Sequence, residues 1–420
     1  MTRLLKDVAT VPTTKGVSDI RLTVAAILMA VGSLQIVAAV RSAARDTTGD
    51  LGRQWVVAQY VIRGVNPFPV ALDALRAHYG ILAPKGPVHL KDLRIYAIPN
   101  GGPNPQTDPM LGPPEATYSP PSVMMLLPLG LVPRNVVRFL WLLTNLALLF
   151  VVARELKLLT RAEEVSFFFF LGLVLVWPAS SSCVEREQFS LLSLACILSA
   201  RRLESTHAIA AGLLYSVSMV KPSLSIPFLL LPLLDRAILT LGSLAVSQLA
   251  LLGAMSWAVH ANPFRLIGDW LTIAAYFRQG MYTVQDVINS LRIDGSIWDI
   301  LIQISILVCS AAIASRFGFL RKIAFLSVIS CTWTYHSDYD FAVLLIPAVL
   351  FAVQPFDARW VLNFTALGII GLGLTAPIYG GRSFVARGTR EAVRFSLAAL
   401  AIGIAWSEFQ PRRSKTLNPA

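Results

Sequence analysis

Residues 20–40 read IRLTVAAILMAVGSLQIVAAV, with Arg21 at the leading edge as the sole charge in an apolar run. A helix crosses about 30 Å of hydrocarbon at 1.5 Å per residue, so roughly 20 apolar residues span a bilayer. A basic start followed by an apolar run also describes a secretion signal, but the apolar part of a signal runs only about 7–15 residues. The length predicts an uncleaved first membrane helix. Outward from it, apolar stretches recur near 135–153, 165–178, 188–200, 207–220, 223–234, 237–259, 297–315, 319–334, 340–354, 359–377 and 391–407. The expectation is an all-α polytopic membrane protein of about twelve transmembrane helices, several of them short. One further apolar run, 120–133, has proline at both ends and is too short to cross, so it is expected as a re-entrant or juxtamembrane segment.

Composition agrees. Of 420 residues, 55% are hydrophobic and 14% charged, and the mean hydropathy is +0.62. Soluble domains carry about 25% charged residues, which excludes a soluble enzyme. The net charge of +12 fits nucleic acid, anionic lipid or membrane topology. Cys183, Cys196, Cys309 and Cys331 show no CxxC spacing and no neighbouring histidine cluster, so neither a disulfide framework nor a metal site follows.

Topology decides the meaning of the charge. With the N-terminus in the cytoplasm, the inward segments hold seventeen basic residues, among them Lys15, Arg21, Arg154, Arg201, Arg321 and Arg412. The outer loops after the first hold eight, from Arg186 and Lys221 to Arg390. Positive charge collects inside, so both termini, 1–19 and 409–420, are expected in the cytoplasm, flanking one transmembrane domain at 20–408. The first extracytoplasmic loop is 41–134 and a second sizeable one is 260–296. The basic residues need no nucleic acid, because no module offers aromatic stacking beside them.

That orientation gathers the polar features outside: Asp50, Tyr118-Ser119, Glu187-Gln188, Lys221-Pro222 and Tyr335 to Asp340. Ionisable groups near membrane depth are costly and point to function. Each also has a plain structural reading, as a snorkelling lysine or an interfacial cap. In 50–68, DLGRQWVVAQYVIRGVNPF, the residues Leu51, Trp55, Ala58 and Ile62 repeat at helical spacing, with Arg53, Gln54 and Gln59 on other faces. This predicts a juxtamembrane helix with Asp50 at its N-cap.

Five segments in order carry a resemblance. They are Asp50 with Trp55, Ala58 and Gly64-Val65-Asn66-Pro67-Phe68; Tyr118-Ser119-Pro120-Pro121 with LLPLGLVP; Glu187-Gln188-Phe189-Ser190-Leu191-Leu192; Lys221-Pro222-Ser223; and Tyr339-Asp340-Phe341 with VLLIPA. Together they resemble glycosyltransferase family 87. That is a GT-C class of membrane enzymes including polyprenyl-phosphate-mannose-dependent mannosyltransferases. The chain departs from the pattern at Glu187, where members often have glycine, and in a Pro/Gly-rich insert at 73–115. The resemblance implies a GT-C-like fold in the bacterial plasma (inner) membrane, with its active site on the extracytoplasmic face. It implies inverting transfer of a sugar, by default mannose, from a polyprenyl-phosphate donor to a glycolipid or glycan hydroxyl.

Such transfer needs a base at the acceptor hydroxyl and hydrogen-bonding or cationic groups at the departing phosphate. The resemblance puts Asp50 on the catalytic aspartate. Lys221 and His336, with Arg53 and Arg278, are the candidates for the donor phosphate. Tyr118, Glu187, Gln188 and Asp340 are those for sugar or acceptor. Asp338-Tyr339-Asp340 is a DxD sequence, but no nucleotide-binding context surrounds it. A lipid-phosphate donor requires no metal, and neither metal nor cofactor is expected. Pro222, Pro227 and Pro232 predict a bent sixth span, opening a groove for a polyprenyl chain or serving packing alone. A transporter or flippase of a lipid-linked or amphipathic solute is the alternative. Transporters favour internal repeats and midplane charges; here there is no repeat, and the polar clusters lie at one face.

Overall fold

The computed structural model describes residues 15–45, 49–79, 116–277, 296–334, 337–353, 366–367, 369–370, 393 and 396–404. Among these the regular structure is helical throughout. The helices are α1 (Lys15–Arg45), α2 (Asp50–Ile62), α3 (Pro67–Tyr79), α4 (Pro120–Gly130), α5 (Arg134–Thr160), α6 (Phe167–Val176), α7 (Pro178–Glu185), α8 (Ser190–Leu203) and α9 (Ala208–Ser218). There follow α10 (Pro222–Leu234), α11 (Ile238–Ala258), α12 (Pro263–Phe277), α13 (Ser296–Ala314) and α14 (Phe319–Ser330). A 3₁₀ turn, Asp338–Leu344, leads into α15 (Leu345–Val353).

Among the described residues, three helices are long and apolar enough to cross a membrane: Leu22–Ala44 within α1, α5 and α11. The bent pair α6–α7 makes a fourth if it counts as one span, and α4, α9, α10, Ile300–Ala314 and Tyr339–Val353 are shorter apolar helices. The expected spans at 359–377 and 391–407 lie largely outside the described residues, as does most of the 73–115 insert.

Local sequence accounts for the breaks. Pro178 disfavours helical backbone in the residue before it. Trp177 is accordingly extended (φ −69°, ψ 121°), and α6 meets α7 at 66°. The indole of Trp177 donates to the Phe341 carbonyl at 2.9 Å, tying the bend to the 3₁₀ turn. In α10 the prolines divide the segment into an α turn, a 3₁₀ turn at Ile226–Leu229 and a second α turn.

The main core joins α5, α6, α8, α14 and α15 around Phe170, Leu194, Ile197, Leu326 and Val349. Helix α1 lies against α6 through two glycines. A Cβ on Gly32 would sit 2.5 Å from Leu175 Cβ, and one on Gly172 2.8 Å from Leu28 Cβ. This is the small-residue contact that lets helices approach where lipid supplies no hydrophobic drive. Helices α9 and α11 are joined by polar groups instead: Ser216 donates to Ser247 at 2.8 Å, and Gln248 to the Ser216 carbonyl at 3.0 Å. The outer face of α11 bares Ile238, Leu239, Val246, Leu249 and Trp257, an apolar surface suited to lipid. A second core unites α2, α3, α4 and α12 with Tyr118, Phe189 and Val220.

Two expectations for α2 are corrected. Gly49 (φ −58°, ψ 159°) occupies the N-cap and Asp50 is the first helical residue. The buried face is wider than the expected stripe: Leu51 and Ala58 are buried and Trp55 packs on the second core as expected, but Ile62 is 41% exposed and Gln54, off the stripe, is 3% exposed. The reason is that α2 is enclosed on several sides. Gly130 of α4 packs on Ala58 and Ile62, while Trp55 donates to the Val132 carbonyl at 2.9 Å and Gln59 to that of Gly130.

The bundle ends differ. At one end Arg202 binds Glu155 at 2.7 Å, joining the final turns of α8 and α5. Nearby Asp235 accepts from Arg201 at 2.5 Å and Lys322 at 2.9 Å, and Arg201 also pairs with Glu204. Burial pulls the Asp235 carboxyl upward, but the Lys322 hydrogen bond and the Arg201 and Lys322 charges outweigh it and hold the group below the usual range. The starts of α2, α8, α10 and the 3₁₀ turn meet at the opposite end.

Candidate active site

Three chain segments converge on a buried ion pair. Ser190 opens α8, Lys221 stands at the N-cap of α10, and Asp340 lies in the 3₁₀ turn. Lys221 Nζ is 2.7 Å from Asp340 Oδ1 and donates to Ser190 Oγ at 2.9 Å, while Ser190 donates to the same Asp340 oxygen at 2.6 Å. The Ser337 amide donates to Asp340 Oδ2 at 3.3 Å, and the Ser337 hydroxyl closes a capping box that fixes the turn. Lys221 and Asp340 are 7% and 4% exposed. An ion pair this deep holds only when its remaining groups are also hydrogen-bonded, and Ser190 and Ser337 meet that need.

The ring of Tyr339 links this pair to the start of α2. Lys221 Nζ lies 4.1 Å from the ring centroid and the Arg186 guanidinium 5.8 Å from it. The Arg186 carbonyl in turn accepts the Asp50 amide at 3.1 Å. Asp50, Arg186, Tyr339, Lys221 and Asp340 thus form one connected patch. Asp50 stays partly exposed, with Arg53 Nη1 3.5 Å from its carboxylate.

Glu187 has a left-handed backbone (φ 55°), a region that costs a residue with a Cβ and suits glycine. The side chain supplies a reason to accept that cost. Glu187 takes a 2.6 Å bond from Arg138, whose other arm reaches the Ala43 carbonyl at 2.8 Å. Arg134 lies in the field of both Arg138 and Glu187 and covers Gly52. Gln188 is fully buried, and among the described residues both of its side-chain amide atoms lack hydrogen-bond partners. Tyr118 packs edge-on to Phe189, at 5.6 Å between ring centroids.

Sequence reasoning therefore named residues that do meet: Asp50 with Arg53, and Lys221 with Asp340. It named Lys221 and Asp340 for different ligands, whereas the two hold each other. His336 and Arg278 lie outside the described residues. Sequence reasoning assigned no site role to Arg138, Arg134, Arg186 or Ser190. A signal for the first two existed: Arg134, Arg138, Trp141 and Asn145 recur at helical spacing on α5. With the Asn145 amide turned so that its oxygen accepts from Trp141 Nε1 at 2.9 Å, its nitrogen donates to the Gln188 carbonyl at 3.3 Å.

Among the described residues, no group of three or more His, Cys, Asp or Glu side chains could hold a metal ion. Compared with known proteins, residues 116–329 match the family model of glycosyltransferase family 87. The matched region includes Tyr118, Glu187, Gln188 and Lys221, while Asp50 and Asp340 stand on either side of it. No curated protein and no solved structure matches the chain.

Proposed function

The chain belongs to glycosyltransferase family 87, and from that premise we propose that it moves a sugar from a polyprenyl-phosphate donor to a hydroxyl of a glycolipid or glycan, with inversion. The observation that supports the reading is the patch running from Asp50 through Arg186 and Tyr339 to Lys221 and Asp340. A carboxylate with access to solvent stands there beside cations, which is what a proton acceptor and a phosphate site require.

In this mechanism the acceptor oxygen attacks the anomeric carbon as Asp50 takes its proton. The bond from that carbon to the phosphate oxygen breaks, and polyprenyl phosphate leaves with the electron pair. Lys221, His336, Arg53 and Arg278 are assigned to the phosphate. An ammonium has three donors, and with two given to Ser190 and Asp340 Lys221 keeps one for a phosphate oxygen. Tyr118, Glu187, Gln188 and Asp340 are assigned to the sugar or acceptor. Mannose is the default, and arabinofuranose fits the same chemistry. We assign this end of the bundle to the extracytoplasmic face of a bacterial plasma membrane.

The test is incubation of purified protein with a panel of polyprenyl-phosphate sugars, following which donor is consumed. Asp50→Asn is expected to insert and melt like the wild type while transfer falls by about 10²–10⁴. Unchanged turnover in that variant would remove Asp50 from the role of base. Flipping of the lipid without consumption of any donor would replace the enzyme by a transporter.

A further inference from the structure

Gln54 is 3% exposed, and among the described residues its side-chain oxygen has no hydrogen-bond partner. The neighbouring polar groups of α2 are better served: Trp55 and Gln59 both donate to carbonyls of the α4 end. A hidden amide oxygen without a donor weakens the fold, and leucine would fill the same space without that cost. Packing does not explain a glutamine here.

Its position does. Gln54 follows Asp50 by four residues on α2, so the two side chains share one face of the helix. Val57 and Val61 continue that face and are buried in the core that contains Tyr118, Phe189 and Val220. Phe189 adjoins Gln188, and Val220 adjoins Lys221. The unsatisfied oxygen thus lies on the helix face that carries the proposed base, and it can only accept.

We propose that Gln54 is a substrate-binding residue whose oxygen accepts a hydrogen bond from a sugar hydroxyl next to the reacting centre. The proposal rests on the glycosyltransferase reading and adds a specificity group to that same site. Donor sugar and acceptor present the same chemistry, a ring hydroxyl, and the experiment separates them.

Purified full-length wild type and Gln54→Leu are compared with polyprenyl-phosphate mannose and polyprenyl-phosphate arabinofuranose as donors. Octyl mannoside and octyl arabinofuranoside serve as acceptors, and melting is recorded without substrate. The expected result is a melting temperature equal to or above the wild type, with KM for one substrate raised tenfold or more. The substrate whose KM moves carries the hydroxyl. Its deoxy analogue is then expected to be disfavoured by the wild type and tolerated by the variant. Unchanged KM values for both substrates overturn the proposal. A lowered melting temperature with kcat and KM altered only through loss of folded protein overturns it as well, in favour of packing. Consumption of no donor by the wild type defeats the glycosyltransferase reading, and the Gln54 assignment falls with it; turnover without a Gln54 effect defeats the assignment alone.

Discussion

Lys221 and Asp340 show what a single buried charge demands. Each is hidden, and each is tolerable only because the other lies 2.7 Å away with Ser190 bridging them. Removing one partner leaves an uncompensated charge and costs about 3–5 kcal/mol, whereas replacing both by apolar groups of similar size is often neutral for stability. Lys221→Met and Asp340→Leu are therefore expected to lower the melting temperature singly, and the double variant to regain most of it without regaining transfer. Thermal unfolding of the purified variants, set beside an activity assay, checks both halves. The individual residues were legible in the sequence because charges at span mouths are conspicuous. Their partnership was not, since 119 residues separate them and no periodicity relates them. Glu187 makes the complementary point. It stood out as a departure from the glycine the resemblance implied, and the Arg138 bond accounts for a side chain on a left-handed backbone that suits glycine.

At the scale of the element, helix existence was readable and helix faces were less so. Long apolar runs gave α1, α5 and α11, and Pro178 and Pro222 open helices as prolines do in a first turn. The stripe expected on α2 holds at Leu51, Trp55 and Ala58 but misses the rest of the buried surface, because periodicity presumes one buried face. Helix α2 is instead clasped from several directions by Val132, Gly130, Arg134 and Arg186. The α1–α6 contact is where element geometry is most exacting. Gly172→Leu would drive a side chain into Leu28 and the backbone of Met29. Overpacking of this kind typically costs about 1–3 kcal/mol. A lowered melting temperature is expected for Gly172→Leu, with Gly172→Ala intermediate, and unfolding curves of the two variants decide it.

The whole molecule is polar in an architectural sense: the Arg201–Asp235–Lys322 network closes one end, and the Asp50 to Asp340 patch occupies the other. Basic residues counted along the sequence assign the first end to the cytoplasm, and that assignment has a direct check. In a Cys309→Ser background, Glu163→Cys is expected to react with a membrane-impermeant maleimide only in inside-out vesicles. His260→Cys, at the patch end, is expected to react only in right-side-out cells. Labelling in the reverse pattern inverts the topology and moves the proposed site to the cytoplasmic face.

The same ion pair also imposes a schedule. Synthesis adds about 5–20 residues per second, so Lys221 is made roughly 6–24 seconds before the aspartate 119 positions downstream that will neutralise it. Throughout that interval the start of α10 lacks the carboxylate that receives its ammonium in the folded protein. The ribosome has by then delivered every residue of the matched stretch that ends at 329, yet the assembly is still incomplete. The buried pair is therefore expected to form only once the 3₁₀ turn at Asp338–Leu344 has been made.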